Sequence, residues 1–319
     1  MKKNSNHHYC YLCGKTDLTI VRKKLRHGIR RNVLKCLNCS LVFLEPKNDF
    51  HAFYKKDYRR RHSPIIGRAL TSRELFEFSL PLQKERLNFL KRILKSNFKV
   101  LDIGASAGHF LYAIKSRIKE GTGLELNSDN AKFIENELGF KVYQQPIEKA
   151  KLPKEYFDLV TAWQTFEHVE DPNSFLQAVY HCLKSGGHLL IEVPNANDAL
   201  LSVYGLKSFA DFWYTEPHSF YYTAATLKKM LAKSGFSGRI QTWQSYNFIN
   251  HLNWKLTGRP QADYLTGTAV LQLADQSCAN RELKNELNRW IKKVDKEYRS
   301  ILNKHEVGTN LIFLGQKVD

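Results

Sequence analysis

Two acidic residues separated by a run of small residues form the most informative pattern in this 319-residue sequence. Asp102 ends an apolar run, and the small residues Gly104, Ser106 and Gly108 follow it at spacings of two. Small residues after a buried strand let a ligand approach the backbone and the N-terminus of the next helix. Glu125 lies 23 residues after Asp102, at the end of a second apolar run, which is where a ribose presents its hydroxyls. The pattern predicts a site for an adenosine-like ligand.

The same stretch departs from the dinucleotide-binding fingerprint. A pyrophosphate-binding turn would need a further glycine where Phe110 stands. A strand-to-helix turn without any ligand is the alternative interpretation of the glycines taken alone.

Four cysteines have the spacing of a metal site. They form two Cys-x-x-Cys pairs, Cys10 with Cys13 and Cys36 with Cys39, with 22 residues between the pairs. Two such knuckles can place four thiolates tetrahedrally around Zn²⁺, which leaves no position for water and therefore predicts a structural metal. Disulfides are the alternative, which the lack of an apolar leader in residues 1–8 disfavours.

Alternating strands and helices must position these residues. The apolar pattern between residues 99 and 247 is that of a doubly wound α/β sheet. Before it we expect one helix over residues 71–96, which Pro81 kinks or starts. Ser128 is a candidate N-cap, and a later helix that begins at Asp171–Pro172 is expected to stop at Gly186–Gly187.

The C-terminal part is predicted to add helical structure and one strand. Residues 250–260 have a loop-like composition with aromatic anchors, and residues 280–304 have the periodicity of an amphipathic helix. Residues 310–318 are expected to complete the sheet.

Four stretches together resemble a known family. They are residues 100–110, the acid Glu125, residues 157–172 and residues 183–195. In order and spacing they resemble the class I S-adenosylmethionine-dependent methyltransferases across residues 85–247, with a last strand near 310–317. Ser106 departs from the family pattern, at its middle glycine position. The resemblance implies a Rossmann-like α/β fold with a seven-stranded sheet and the activity of methyl transfer.

The resemblance also implies which residues bind S-adenosylmethionine. They follow the first four strands of the sheet. The implied residues are Asp102, Gly104, Ala105, Ser106, Gly108, Glu125, Leu126, Pro146, Ile147, Trp163 and Gln164.

The order of zinc ribbon, tyrosine-rich segment and nucleotide-binding strand is similar to a subset of methyltransferases from sugar and surface-polysaccharide biosynthesis. In that subset the N-terminal part covers the cleft, so Tyr54 or Tyr58 would touch cofactor or substrate; a packed or exposed tyrosine is the alternative for each. The resemblance implies a small or glycan acceptor, methylated at a hydroxyl or a carbon.

Two histidines are candidates for the catalytic base. His168 precedes a helix at the carboxyl edge of the sheet, where open α/β folds bind ligands. His218 lies in a long aromatic segment that suggests the wall of a substrate cleft, and related sequences keep a histidine at this place. An imidazole that titrates near neutrality suits proton removal from a hydroxyl. Buried, hydrogen-bonded histidines of purely structural role are the alternative.

These assignments divide the chain into a zinc ribbon at 1–48, a connecting segment at 49–98 and a methyltransferase domain at 99–319 with a helical insertion at about 248–309. No apolar stretch is long enough to span a membrane, and a cytoplasmic monomer or homodimer is expected.

Positive charge is concentrated near the N-terminus. Residues 1–100 hold 24 Lys and Arg against 7 Asp and Glu, whereas the whole chain carries a net charge of +18. Residues 22–31 and 55–61 hold the densest runs. They suggest an anionic partner, or else a solvated surface.

Two other functional classes compete with a sugar methyltransferase. A zinc-ribbon RNA methyltransferase would use the basic N-terminal part to bind RNA, although the sequence lacks the Asn/Asp-Pro-Pro-Tyr turn and a Pro-Cys nucleophile. A catalytically silent cofactor-binding protein is the second.

Overall fold

A computed structural model describes residues 8–46 and 70–318 of the chain. Its eleven strands form two sheets. The strands are β1 Leu18–Lys24, β2 Arg30–Cys36, β3 Val42–Leu44, β4 Lys99–Ile103, β5 Glu120–Leu124, β6 Lys141–Tyr143, β7 Phe157–Trp163, β8 Leu183–Pro194, β9 Phe220–Tyr221, β10 Phe236–Trp243 and β11 Asn310–Lys317.

Eleven α-helical segments lie between the strands in the described part of the chain. They are α1 Ser72–Ser79, α2 Gln83–Leu90, α3 His109–Ile114, α4 Ser128–Phe133, α5 Pro172–Cys182, α6 Ala199–Ser202, α7 Lys207–Trp213, α8 Ala224–Lys233, α9 Phe248–Thr257, α10 Tyr264–Thr268 and α11 Arg281–Lys304.

The larger sheet has seven strands in the order β10-β11-β8-β7-β4-β5-β6. Strands β4 to β8 pair in parallel, and β11 pairs antiparallel with both β8 and β10. The chain order reverses at β4, whose carboxyl end therefore opens onto a crevice between β5 and β7. The predicted α/β architecture with a seven-stranded sheet is confirmed.

The smaller sheet joins the N-terminal ribbon to a short strand of the α/β domain. Its order is β1-β2-β3-β9, so the N-terminal ribbon takes its fourth strand from residues 220–221. Phe43 pairs with Phe220 and Val42 with Tyr221, both antiparallel. The side chains of Cys10, Phe43 and Phe220 belong to the same buried apolar cluster as the core of the larger sheet.

Several local predictions were wrong. Residues 71–96 do not form one helix, because Pro81 separates α1 from α2. Asn127, not Ser128, is the N-cap, since its side chain accepts a hydrogen bond from the Asn130 amide at 3.0 Å. Gly186 does not end a helix: α5 ends at Cys182, and β8 begins at the next residue because it already pairs there with β7.

Residues 250–260 are also not a loop. Most of them belong to α9, which Asn247 caps and which ends before Gly258 at φ +68°. The buried positions Asn250, His251 and Trp254 follow helical spacing. Two of these three are polar, so the apolar periodicity that marks a helix in sequence is missing there. Helices α9, α10 and α11 all lie between β10 and β11.

Candidate active site

The loop after β4 is built from residues with left-handed backbone. Gly104, Ser106 and Gly108 have φ of 73°, 52° and 76°. A Cβ atom on Gly104 would lie 2.3 Å from the Thr165 hydroxyl oxygen, so only glycine fits there. The turn brings the Ser106 amide within 2.8 Å of a carboxylate oxygen of Glu125, to which it donates a hydrogen bond.

Glu125 is held at the tip of β5. Its other carboxylate oxygen accepts a hydrogen bond from the Asn127 amide at 2.7 Å. The carboxylate therefore has a fixed position beside the β4 loop, on the rim of a cavity of about 560 Å³. A site of this volume falls in the ordinary range for cofactor pockets.

Most residues predicted to bind the cofactor line this first cavity. All eleven except Gly108 do so: Asp102, Gly104, Ala105, Ser106, Glu125, Leu126, Pro146, Ile147, Trp163 and Gln164. The cavity thus gathers the ends of β4, β5 and β7 and the turn after β6, although these segments are far apart in sequence.

Gly108 serves packing instead. It precedes α3, and a Cβ atom there would lie 2.7 Å from Leu138 and 2.8 Å from Ile134. The glycine lets the N-terminus of α3 approach the segment that follows α4.

Asp102 lies at the bottom of the first cavity with 2% of its surface exposed. Burial raises the pKa of its carboxyl to about 7, although the Thr161 hydroxyl donates a hydrogen bond to it at 2.7 Å.

A second cavity of about 510 Å³ adjoins the first. Arg86, His109, Gln164 and His168 line both cavities, so these four residues mark where they meet. The walls of the second cavity are rich in aromatic rings. These are Phe78, Phe209, Phe212, Trp213, Trp243, Tyr246, Trp254 and Tyr264.

The structure brings the two predicted catalytic histidines together. The rings of His168 and His218 have centroids 4.9 Å apart and meet edge to face. His168 lines both cavities, whereas His218 lines the second. The Nδ1 atom of His168 lies at hydrogen-bond distance, 2.9 Å, from the Pro217 carbonyl oxygen, which orients the ring.

Glu167 is a site residue to which the sequence assigned no role. It is 1% exposed, and its Oε1 lies 3.6 Å from Nε2 of His168. Burial raises the pKa of Glu167 far above its ordinary value, and Glu192 acts in the same direction. Its only signal in sequence is its position next to His168.

Arg86 and His109 are two more residues that the sequence did not single out. Arg86 forms an ion pair with Glu192 at 3.0 Å and lies over the Trp163 ring, 4.9 Å from its centroid. Burial lowers the pKa of His109 to about 3, with the Arg86 charge adding to the effect, so His109 is neutral at physiological pH. Arg86 comes from α2, outside the family motifs, so no pattern marked it.

The four knuckle cysteines meet in the ribbon. Their sulfur atoms lie within 4.8 Å of one another, with Cys10 to Cys39 at 3.4 Å and Cys13 to Cys36 at 3.5 Å. A tetrahedral zinc thiolate site places sulfurs about 3.8 Å apart, whereas a disulfide needs about 2.05 Å. The donor set therefore fits Zn²⁺, as the sequence predicts.

Backbone amides prepare one of these thiols. Burial raises the pKa of the Cys36 thiol, but hydrogen bonds from the amides of Cys39 and Asn38, together with the contacts to the thiols of Cys13 and Cys39, lower the pKa to about 7. A thiol with this pKa is readily deprotonated for metal binding.

The other predicted contacts near the cleft, Tyr54 and Tyr58, lie outside the described residues, as does the basic run at 55–61. No helix in the described part of the chain has both the length and the apolar character to cross a membrane.

Sequence comparison identifies relatives of the α/β domain. A 168-residue stretch is 26% identical to a ubiquinone biosynthesis O-methyltransferase of Psychrobacter arcticus, covering 49% of this chain and 65% of that protein. A 131-residue stretch is 30% identical to a protein of the same name from Pseudomonas putida, covering 38% of this chain and 56% of that protein. The chain thus spans less than two thirds of the length of these relatives.

Comparison with solved structures supports the fold. A SAM-dependent methyltransferase from Archaeoglobus fulgidus aligns with a TM-score of 0.50 and 24% identity, over 76% of this chain and 97% of that one. The family described as "Methyltransferase domain" matches residues 73–239, more than half of the chain. This match falls on a seven-stranded sheet whose first cavity lies at the end of β4. The protein therefore belongs to the class I S-adenosylmethionine-dependent methyltransferases.

Proposed function

We propose that this protein transfers a methyl group from S-adenosylmethionine to a hydroxyl oxygen of a small acceptor, a sugar or a sugar-containing molecule, held in the second cavity. The observation that carries the proposal is the junction of the two cavities at Arg86, His109, Gln164 and His168. A donor in the first cavity and an acceptor in the second can meet only there.

The first cavity suits the donor. The Glu125 carboxylate, fixed by the amides of Ser106 and Asn127, is placed to accept hydrogen bonds from the two hydroxyls of a ribose. Ile147, which is 3% exposed, offers an apolar surface for an adenine ring. The cofactor supplies a methyl group on a positively charged sulfur, whose electron pair stays on the sulfur when the acceptor oxygen forms its new bond to carbon.

The second cavity suits a ring-shaped acceptor with an anionic group. Aromatic side chains offer flat apolar faces, on which sugar rings pack. Arg26 lines the same cavity, with its guanidinium 3.5 Å from the centroid of the Phe212 ring. Burial lowers the pKa of Arg26, but a guanidinium remains protonated in proteins, so it can pair with a phosphate or carboxylate.

His168 and His218 stand where the hydroxyl must lose its proton. His218 faces the second cavity and lies against His168, which faces both. We assign His218 as the base and His168 as its neighbour at the junction. The names of the relatives support oxygen, rather than carbon, as the acceptor atom.

The basic run at residues 22–31 offers an RNA acceptor fewer charges than its sequence suggests. Arg22 pairs with Asp211, and Arg31 donates to the Glu45 carbonyl at 2.8 Å. These two charges are occupied within the molecule, whereas RNA binding needs charges free to contact phosphates.

A methyl-transfer assay with labelled S-adenosylmethionine tests the proposal. The purified protein is offered nucleotide-linked sugars, lipid-linked glycans, hydroxylated aromatic acids and total RNA. Label in a sugar fraction, stable to mild acid as an ether is, supports the proposal. Label in RNA alone, or cofactor binding without transfer to any of these acceptors, would contradict it.

A further inference from the structure

Glu167 is buried without the partners that a carboxylate needs. Its side chain is 1% exposed, and neither of its oxygens has a hydrogen-bond partner among the described residues. Burying a carboxylate costs several kcal/mol unless it is paired, protonated or bound to a cation. Arg86, a nearby fixed positive charge, is already paired with Glu192 at 3.0 Å. Among the described residues no hydrogen-bond donor satisfies this carboxyl group, so it must either keep a proton or bind a cation.

Two imidazoles lie beside this carboxylate. Potential ligand atoms of Glu167, His168 and His218 all lie within 4.8 Å of one another. Ligands of one metal ion at bond lengths of about 2.1 Å are about 3 to 3.5 Å apart, so a shift of about an ångström would bring the three into a coordination shell. The distance from Glu167 Oε1 to His168 Nε2 is already 3.6 Å.

The orientation of His168 is that of a metal ligand. Its Nδ1 lies 2.9 Å from the Pro217 carbonyl oxygen, so Nδ1 carries the proton and Nε2 presents its lone pair toward Glu167. Metal-bound histidines generally donate their second ring nitrogen to a carbonyl or carboxylate in this way. The same contact ties His168 to the residue before His218, and so fixes the two imidazoles relative to each other.

We infer that Glu167, His168 and His218 bind a divalent metal ion at the junction of the two cavities. Two imidazoles and one carboxylate favour Mn²⁺, Fe²⁺, Co²⁺ or Zn²⁺ over Mg²⁺ or Ca²⁺. Three protein ligands leave at least one coordination position open, as in catalytic rather than structural sites. Because both histidines line the second cavity, the open position faces the proposed acceptor.

The role of this ion rests on the proposed function, although its binding does not. An acceptor hydroxyl that reaches the open position would have its pKa lowered by the ion, and its proton would leave to water. The oxygen would also be fixed next to the first cavity. In the metal-bound enzyme His218 would then act as a ligand rather than as the base itself.

Binding is tested with Mn²⁺ and the full chain, followed by electron paramagnetic resonance. Mn²⁺ is a hard ion and leaves the four cysteines to Zn²⁺. We expect the wild type to take up one Mn²⁺ per chain and Glu167→Gln to bind it at least tenfold more weakly. Glu170→Gln, an exposed carboxylate three residues away, and His181→Ala, an exposed histidine on α5, are matched controls that should bind as the wild type does.

His168→Ala and His218→Ala keep the test decisive if Glu167→Gln fails to fold. Loss of the signal of protein-bound Mn²⁺ in either folded histidine variant supports the site. Equal binding by the wild type and all three variants, or no stoichiometric binding by the wild type, overturns the inference.

A second measurement separates the ion from the transfer reaction. Calorimetry with S-adenosylmethionine reports the first cavity alone, and should give the same affinity with and without Mn²⁺. Once an acceptor is known, chelation that leaves the zinc content unchanged should abolish turnover, and Mn²⁺ should restore it. Turnover that persists through chelation overturns the role of the ion while leaving the methyltransferase proposal intact.

Discussion

At the residue scale, Glu125 fixes the loop beside the first cavity and is the residue proposed to bind the ribose of the donor. It accepts hydrogen bonds from the amides of Ser106 and Asn127 in the structure and is proposed to take those of the ribose. Hydrogen bonds to a charged group are each worth about 1.5 to 3 kcal/mol. The sequence singled out Glu125 by its position at the end of the second apolar run, 23 residues after Asp102.

Glu125→Ala should therefore weaken S-adenosylmethionine binding by about 10- to 100-fold, the factor that corresponds to one lost charged hydrogen bond. Isothermal titration measures the affinity, and the melting temperature checks that the loop remains folded. Glu135→Ala, which removes an exposed carboxylate elsewhere, is the control and should bind the cofactor normally.

His218→Ala should lower turnover by about 10²-fold or more, which is the usual contribution of a positioned proton acceptor. The affinity for S-adenosylmethionine should stay unchanged because His218 lines the second cavity and not the first. A variant with wild-type turnover would remove His218 from the reaction, whether as base or as metal ligand.

Gly108→Ala should reduce the stability of the fold rather than impair the methyl-transfer reaction. Its φ of 76° and the close side chains of Leu138 and Ile134 make a Cβ atom costly. Gly186 has a similar φ of 67°, but a Cβ there would meet nothing within 4 Å. We expect urea unfolding to show that Gly108→Ala lowers the free energy of unfolding more than Gly186→Ala does, by about 1 to 2 kcal/mol, which is the cost of overpacking. Equal losses would mean that the neighbouring side chains move aside freely.

At the element scale, the N-terminal ribbon supports the acceptor side of the site. Strand β3 pairs with β9, and the Leu44 amide donates to the Ser219 carbonyl at 2.8 Å, directly after His218. The ribbon thus fixes the strand that follows the proposed base. This contact would link the predicted zinc site of the four cysteines to the proposed base without placing a metal at the reacting atoms.

Cys36→Ser should accordingly reduce zinc content, melting temperature and turnover together. The loss of zinc loosens β2 and β3, and the loosened β3 frees the segment that carries His218. Metal analysis, thermal unfolding and the transfer assay measure the three effects. Cys278→Ser, outside the knuckles, is the control. Turnover that survives zinc loss undiminished would show that β9 holds His218 by itself.

At the scale of the whole molecule, buried carboxylates make stability depend on pH. Burial raises the pKa of Asp198, which caps α6 through a 2.7 Å hydrogen bond from the Leu200 amide, to about 7. The unfolded chain releases this proton near pH 4, whereas the folded chain keeps it until about pH 7. Stability contributed by the protonated group is therefore lost as the pH rises from about 4 to 7, and levels off above that.

Asp198→Asn removes this charge and keeps an N-cap oxygen. Its melting temperature should exceed that of the wild type at pH 8, and the difference should shrink toward pH 5. Thermal unfolding across this range measures the effect. A pH-independent difference would place its origin in packing rather than in the buried charge.

The sequence by itself determined the features that short stretches encode. Small residues after an apolar strand, an acid at the next strand tip and paired cysteines are local patterns, because turn geometry and knuckle geometry involve only nearby residues. They led to the α/β fold, to ten of the eleven predicted residues on the first cavity and to the four cysteines that meet in the ribbon. Helix α9 was missed because two of its three buried residues are polar, and a helix is recognised in sequence by the periodicity of its apolar residues.

Only the tertiary structure decided how distant segments meet. The order of strands in the two sheets brings His168 to His218, Arg86 to Glu192 and β3 to β9. Such contacts depend on packing between elements and leave no regular spacing in the chain. For the same physical reason the burial of Glu167, and with it the proposed metal site, emerged only from the folded molecule.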